Sequence, residues 1–193
     1  MKGSRPLADR EIMLVSQSFQ GQHANRNRAL FILGIKTGFR ISELLSLRVS
    51  DVYRDGAILN SVAVQRRHMK GKAEGRTIKL HTDAKTALLV WVQELRCQRQ
   101  ARPDYPLFPS REGHHQPLSR IQAWVVLREA YQTCGLTGKL GTHCMRKSFA
   151  GRVYERLGRD LVKTQQAMGH RNIQSTASSL GFCQDETDAA ILA

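Results

Sequence analysis

The chain has no unbroken apolar run of about 18 residues, so the sequence predicts no membrane-spanning helix. Its opening residues, MKGSRPLADREI, lack the apolar stretch that marks a secretory signal, and the expected location is the cytoplasm. Cysteine is sparse: Cys97, Cys134, Cys144 and Cys183, with no C-x-x-C pair. The adjacent His114-His115 and His143-Cys144 are poorly spaced for sharing one metal ion. We therefore expect reduced thiols and neither a metal nor a cofactor. Aromatic residues make up 6% of the chain, too few for base stacking on single strands to be the obvious binding mode. Acidic residues are also scarce. Sixteen Asp and Glu face 30 Lys and Arg, a formal charge of +14 over 193 residues. That balance favours a polyanionic partner, with double-stranded DNA read through its backbone the first choice. The basic residues are spread along the chain rather than gathered in a run, which disfavours a membrane surface.

The chain is long enough for one sizeable core, and it shows no internal repeat or low-complexity linker. Residues 1–193 read as a single domain. Apolar residues recur at helical spacing at Ile12, Val15 and Phe19, at Leu30, Leu33 and Ile35, and at Leu88, Leu89, Trp91, Val92 and Leu95. A further amphipathic helix carries Ile121, Trp124, Val125 and Leu127, with two more following Thr142 and Asp160. Between Val52 and Leu80 the pattern shifts to short β-leaning segments separated by Asp55-Gly56 and by a glycine-rich basic tip, Lys70 to Gly75. The expected fold is mixed α/β, mainly α-helical with a small three-stranded antiparallel sheet. Arg66, Arg67 and Arg76 flank the tip, which could reach a backbone phosphate. Lys139 lies in a basic loop, and Lys147 follows in the next helix.

Residues 141–182 concentrate the candidate chemistry. His143 and Arg146 sit at i and i+3 and share a helix face. Gly169-His170 follows in the next segment. Two imidazoles and a guanidinium can bind a phosphate, neutralise it and move a proton on it. The chain has no evident carboxylate cluster for two-metal catalysis, so metal-free phosphoryl transfer fits better than a magnesium nuclease.

Four boxes in order resemble the catalytic domain of the tyrosine recombinases, the phage-integrase family. TGFRISELLSLRVSDV resembles the first box, which implies Arg40 as a catalytic arginine with Glu43 supporting it. KGKAEGRTIKL resembles the hairpin of the catalytic lysine, with Lys72 nearest the expected place and Lys70 the alternative. GTHCMRKSFA resembles the H-x-x-R box and implies His143 and Arg146. MGHRNIQST resembles the L-G-H box and implies His170. The resemblance implies cleavage and rejoining of DNA at specific sites through a 3′-phosphotyrosyl intermediate. It also implies a tetramer on two DNA sites, with residues 183–193 a candidate for docking on a neighbouring subunit. Without DNA, a monomer or weak oligomer is expected.

The chain departs from the pattern in two ways. The family's nucleophilic tyrosine stands nine residues after the box histidine. Here that position is Ser179, and no tyrosine follows Tyr154. A serine hydroxyl lies nearer its backbone and ionises less readily than a phenol, so the chain is expected to bind DNA without cleaving it efficiently. The second departure is the N-terminal core-binding domain typical of the family, for which too few residues precede the first box. The expectation is a minimal catalytic-domain-only protein or a shortened one.

Overall fold

The computed structural model describes residues 3–64, 76–98, 101–111 and 115–181. The candidate lysines Lys70 and Lys72, the cations Arg66 and Arg67, and the tail 183–193 lie outside the described residues.

Helix α2 (Ala24–Thr37) is the axis of the core. Ala29, Leu30, Phe31, Leu33 and Ile35 are fully buried, so the helix is apolar on nearly every side and needs neighbours all round. It packs chiefly against α4 (Thr82–Cys97) and α6 (His143–Arg156), with α1 (Asp9–Ser18) adding a smaller contact. Helix α4 contributes Ala84, Leu88, Trp91, Val92 and Leu95 at helical spacing. The Trp91 indole N–H donates to the Leu107 carbonyl at 2.7 Å, which satisfies the one polar atom that ring buries.

The crossing of α2 and α6 depends on two glycines one turn apart. A Cβ on Gly34 would lie 2.6 Å from Met145 Sδ, and one on Gly38 would lie 2.3 Å from the Phe149 ring. Met145 and Phe149 are themselves four residues apart on α6. One glycine-lined face therefore receives one ridge of bulky side chains. Gly38 also ends α2, in the left-handed region at φ 61°, with its N–H returning to the Gly34 carbonyl. The chain then turns into the short helix α3 (Ile41–Leu45).

The strands form two separate antiparallel ribbons among the described residues, rather than the single three-stranded sheet expected. β1 (Tyr53–Arg54) pairs with β2 (Ala57–Ile58), and β3 (Ser61–Val64) pairs with β4 (Arg76–Lys79). The reason is local. Asp55-Gly56 makes a tight turn with positive φ at both residues, so the first ribbon closes on itself. The β3–β4 register runs from Ser61↔Lys79 to Val64↔Arg76.

Helix α5 (Arg120–Thr133) starts from Ser119, whose side chain accepts from the Gln122 N–H. It buries Ala123, Leu127, Ala130 and Tyr131, while Ile121, Trp124 and Val125 remain exposed. Two short helices close the described chain: α7 (Leu161–Met168), capped by the Asp160 side chain, and α8 (Ile173–Leu180), capped by Asn172. Both pack on α6 and on each other.

Gly38→Ala tests the α2–α6 crossing against Gly56→Ala, since both glycines have positive φ but nothing lies within 4 Å of a Cβ at Gly56. We expect Gly56→Ala to lose about 1 kcal/mol from backbone strain alone. Gly38→Ala should lose about 3 kcal/mol as overpacking against Phe149 adds to it. Urea unfolding of the two variants measures the difference.

Candidate active site

The site is assembled where two helices end. Gly169 closes α7 in the left-handed region at φ 58°. Its N–H reaches the Gln166 carbonyl, and the next N–H, from His170, reaches Gln165. That pattern satisfies two of the last four carbonyls of α7 and leaves those of Ala167 and Met168 pointing onward. At the end of α2, Gly38 uses the Gly34 carbonyl, and the carbonyls of Thr37 and Gly38 likewise point beyond the helix. Two arginines fill these four positions. Arg146, from α6, donates through Nη1 to Gly38 O and through Nη2 to Met168 O at 3.2 Å. Arg76, the first residue of β4, donates through Nη2 to Thr37 O at 3.1 Å and to Ala167 O at 2.7 Å.

Each remaining member is placed by local chemistry. Arg40 is the N-cap residue of α3, and Glu43 occupies the third position of that helix. One carboxylate oxygen of Glu43 accepts the Arg40 backbone N–H at 2.8 Å, and the other pairs with Arg40 Nη1 at 2.9 Å. Glu43 is 2% exposed, whereas the Arg40 side chain is 42% exposed and free to meet a ligand. His170 lies 2.7 Å through Nε2 from Arg146 Nη2, and its Nδ1 lies 2.9 Å from Thr176 Oγ1. A guanidinium can only donate, so Nε2 must accept and Nδ1 must carry the proton toward the buried Thr176. Thr176, which accepts that proton, was not singled out from the residues, because a threonine has no periodic or spacing signal of its own.

The structure thus brings Arg40, Glu43, Arg146 and His170 together. His143 is exposed at the first position of α6, three residues before Arg146. Lys139 is exposed in the loop before α6, and Lys147 is half-buried on that helix. Ser179 sits on α8, and its hydroxyl donates to the Ser175 carbonyl at 2.7 Å. Arg76 is the main departure. Expected on the basic rim of the hairpin, it is 8% exposed and turned inward, because the carbonyls of two helix ends need its donors.

Three guanidiniums and one carboxylate leave the site strongly positive. Burial, then the charges of Arg40 and Arg76, push Arg146 down to about 9, with Glu43 opposing. Burial likewise brings Arg76 to about 10. Both remain charged at neutral pH, so the site meets an anion with its full cationic complement. Among the described residues no three His, Cys, Asp or Glu side chains gather where they could hold a metal ion, and no helix is long and apolar enough to cross a membrane.

The profile of the phage integrase family matches residues 9–179. The chain is 31% identical over 165 residues to the probable integrase/recombinase YoeC of Bacillus subtilis strain 168, covering 86% of this chain and 82% of YoeC. It is 30% identical over 171 residues to the tyrosine recombinase XerD of Listeria monocytogenes serotype 4b, covering 88% of this chain and 54% of XerD. Among solved structures, the site-specific recombinase XerH bound to its difH substrate superposes with a TM-score of 0.70 at 22% identity, covering 99% of this chain and 55% of XerH. The chain therefore spans about half the length of XerD and XerH.

Replacing Glu43 checks the balance of charge. Glu43→Ala removes both the α3 cap and, among the described residues, the only carboxylate beside these arginines, and should cost about 3 kcal/mol. Asp51→Ala removes only a comparable cap, on Arg48, and should cost about 1 kcal/mol. Equal losses on urea unfolding would mean that the ion pair contributes nothing.

Proposed function

The chain belongs to the phage integrase family, the tyrosine recombinases that carry out DNA strand transfer, and from that premise we propose that it is the catalytic portion of a site-specific DNA recombinase that holds a scissile phosphate without cleaving it efficiently. One observation carries this reading: Arg40, Arg146 and His170 converge around the ends of α2 and α7 while position 179 offers a serine. In the reaction proposed for this site, a hydroxyl oxygen gives its proton to an imidazole and attacks phosphorus, a 3′-phosphoester to the protein forms, and the P–O5′ bond breaks. The departing O5′ takes its proton from a general acid, the role assigned to Lys72 or, alternatively, Lys70. Arg40 and Arg146 neutralise the charge that builds on the non-bridging oxygens. His170 and His143 serve as proton-handling and hydrogen-bonding groups. The guanidiniums supply this stabilisation without a metal ion.

Ser179 weakens the nucleophilic step for two reasons. Its oxygen stands closer to the α8 backbone than a phenol oxygen would, and its hydroxyl is already given to the Ser175 carbonyl. That second observation favours an alternative reading, a non-catalytic DNA-binding protein that retains the recombinase fold. In either reading the partner is duplex DNA, with Arg66, Arg67, Lys70, Lys72, Lys139 and Lys147 the residues proposed to contact it. Pairing of subunits into a tetramer on two DNA sites, with 183–193 reaching a neighbour, belongs to the same proposal. XerH is a relative in fold whose structure holds its difH substrate, which supports the choice of DNA.

Ser179→Tyr decides between the readings. Duplexes are first selected from a random pool by the unaltered chain, then nicked and offered to the variant. The expected result is a denaturant-resistant protein–DNA adduct for the tyrosine variant and none for the serine form. A tyrosine variant that binds the same duplexes yet forms no adduct would sink the assignment of position 179. Affinity for these duplexes should fall about 10³-fold or more between 50 and 200 mM salt if several phosphates are contacted. A flat salt dependence by fluorescence anisotropy would remove the phosphate-contact basis of the proposal.

A further inference from the structure

Arg76 is a buried cation with no carboxylate within ion-pair distance among the described residues. Its Nε and Nη1 are fully buried and have no hydrogen-bond partner among those residues. An unpaired buried charge is costly, and folds retain one where something depends on it. Two sets of groups surround it. Its Nη2 alone bridges Thr37 O and Ala167 O, the residues immediately before Gly38 and Met168, which Arg146 bridges with Nη1 and Nη2. The rings of Phe39 and Phe149 lie 5.3 and 5.8 Å from its Cζ, so two aromatic faces take the place of an acidic partner. Phe149 is also the ring that presses on Gly38. Arg76 therefore touches the end of α2, the end of α7 and the ridge of α6. It also opens β4, at the last paired rung before residues 65–75.

We propose that Arg76 is a positioning residue for the strand-transfer site: by tying the Thr37 and Ala167 carbonyls together it sets the spacing at which Arg146 can hold Gly38, Met168 and His170 at once. The inference rests on the recombinase reading for its consequence in catalysis, but not for its geometry. The two bridges are stacked one residue apart, so a change in the first moves the second. If the ends of α2 and α7 drift apart, Arg146 cannot span both, and the Arg146–His170 bond is the first to lose its alignment. Because Arg76 is also the root of the hairpin strand, the same bridge fixes the strand that leads into the segment carrying Lys70 and Lys72. A lysine at 76 would keep the charge but lose the rigid in-plane pair of N–H directions by which the single nitrogen Nη2 reaches both carbonyls. A methionine would keep the length and fill the space between the rings while giving no donor at all.

The test uses Arg76→Lys and Arg76→Met in the full chain, each labelled with ¹⁵N-histidine, without DNA. The reporter is the His170 Nε2 resonance, which senses the bond from Arg146. The internal control is His23, at the opposite end of α2. We expect both variants to keep their far-ultraviolet circular dichroism, the His170 Nε2 resonance to shift, and the His23 resonances to stay in place. A His170 resonance that does not move in a folded variant overturns the proposal. So does an equal movement of His23, which would make Arg76 a general prop of the core. If the methionine variant fails to fold, the lysine variant decides alone; if neither folds, Arg76 is a stability residue and the proposal falls. In the Ser179→Tyr background the same substitutions should reduce adduct formation about 100-fold, the scale expected when reacting groups are displaced by about an ångström. Because the resonance measurement needs neither DNA nor a nucleophile, an inactive tyrosine variant would count against the recombinase reading and leave the positioning role to be judged on the histidine signals.

Discussion

Two helix C-termini face each other across a gap of buried arginine. The end of a helix presents carbonyls without partners and a partial negative charge. Here α2 and α7 both end in a left-handed glycine, and their outermost carbonyls converge on Arg76 and Arg146. The helix ends need donors and the arginines need acceptors, and each supplies part of what the other lacks. These shared bonds lock four separate pieces of chain into one arrangement. Arg40 stands beside it on a helix start of its own, held by Glu43, with its guanidinium still open to solvent.

That arrangement follows from packing further in. The glycine face of α2 lets α6 approach closely enough for Met145 and Phe149 to lodge against Gly34 and Gly38. Arg146 follows Met145 directly, so the depth of that contact sets how far its guanidinium reaches. A bulkier α2 would push α6 outward and leave the Gly38 carbonyl without its donor. Core packing and site geometry are thus one constraint rather than two. The charge state is consistent with it, since burial lowers both arginines without bringing either near neutrality at physiological pH.

Much of this was readable from the residues. The helices followed from apolar periodicity, and Gly169-His170 stood out in the segment that concentrates the candidate chemistry. The boxes singled out Arg40, Glu43, Arg146 and His170, and the fold gathers these four. What could not be read has a common cause. Arg76 looked like one more cation on a basic hairpin, because sequence shows a side chain's charge but not which way a strand turns it. Thr176 and the carbonyls of Thr37 and Ala167 were invisible because backbone acceptors and lone hydroxyls have no pattern. The ribbons near Asp55-Gly56 separated because a tight turn satisfied its own strands. On α5, Ile121, Trp124 and Val125 read as a core stripe but remain exposed, since periodicity locates an apolar face without saying whether anything covers it.

The bridge between helix ends also has an order in time. Its acceptors on α2 and the Arg76 donor are made early in the chain, but Arg146 comes much later and the Ala167 and Met168 carbonyls later still. During synthesis from the N-terminus α2 and α4 can pack together while the end of α2 still lacks its second arginine. The arrangement of Arg76, Arg146 and His170 comes into being only when α7 docks, so the site is completed late in synthesis.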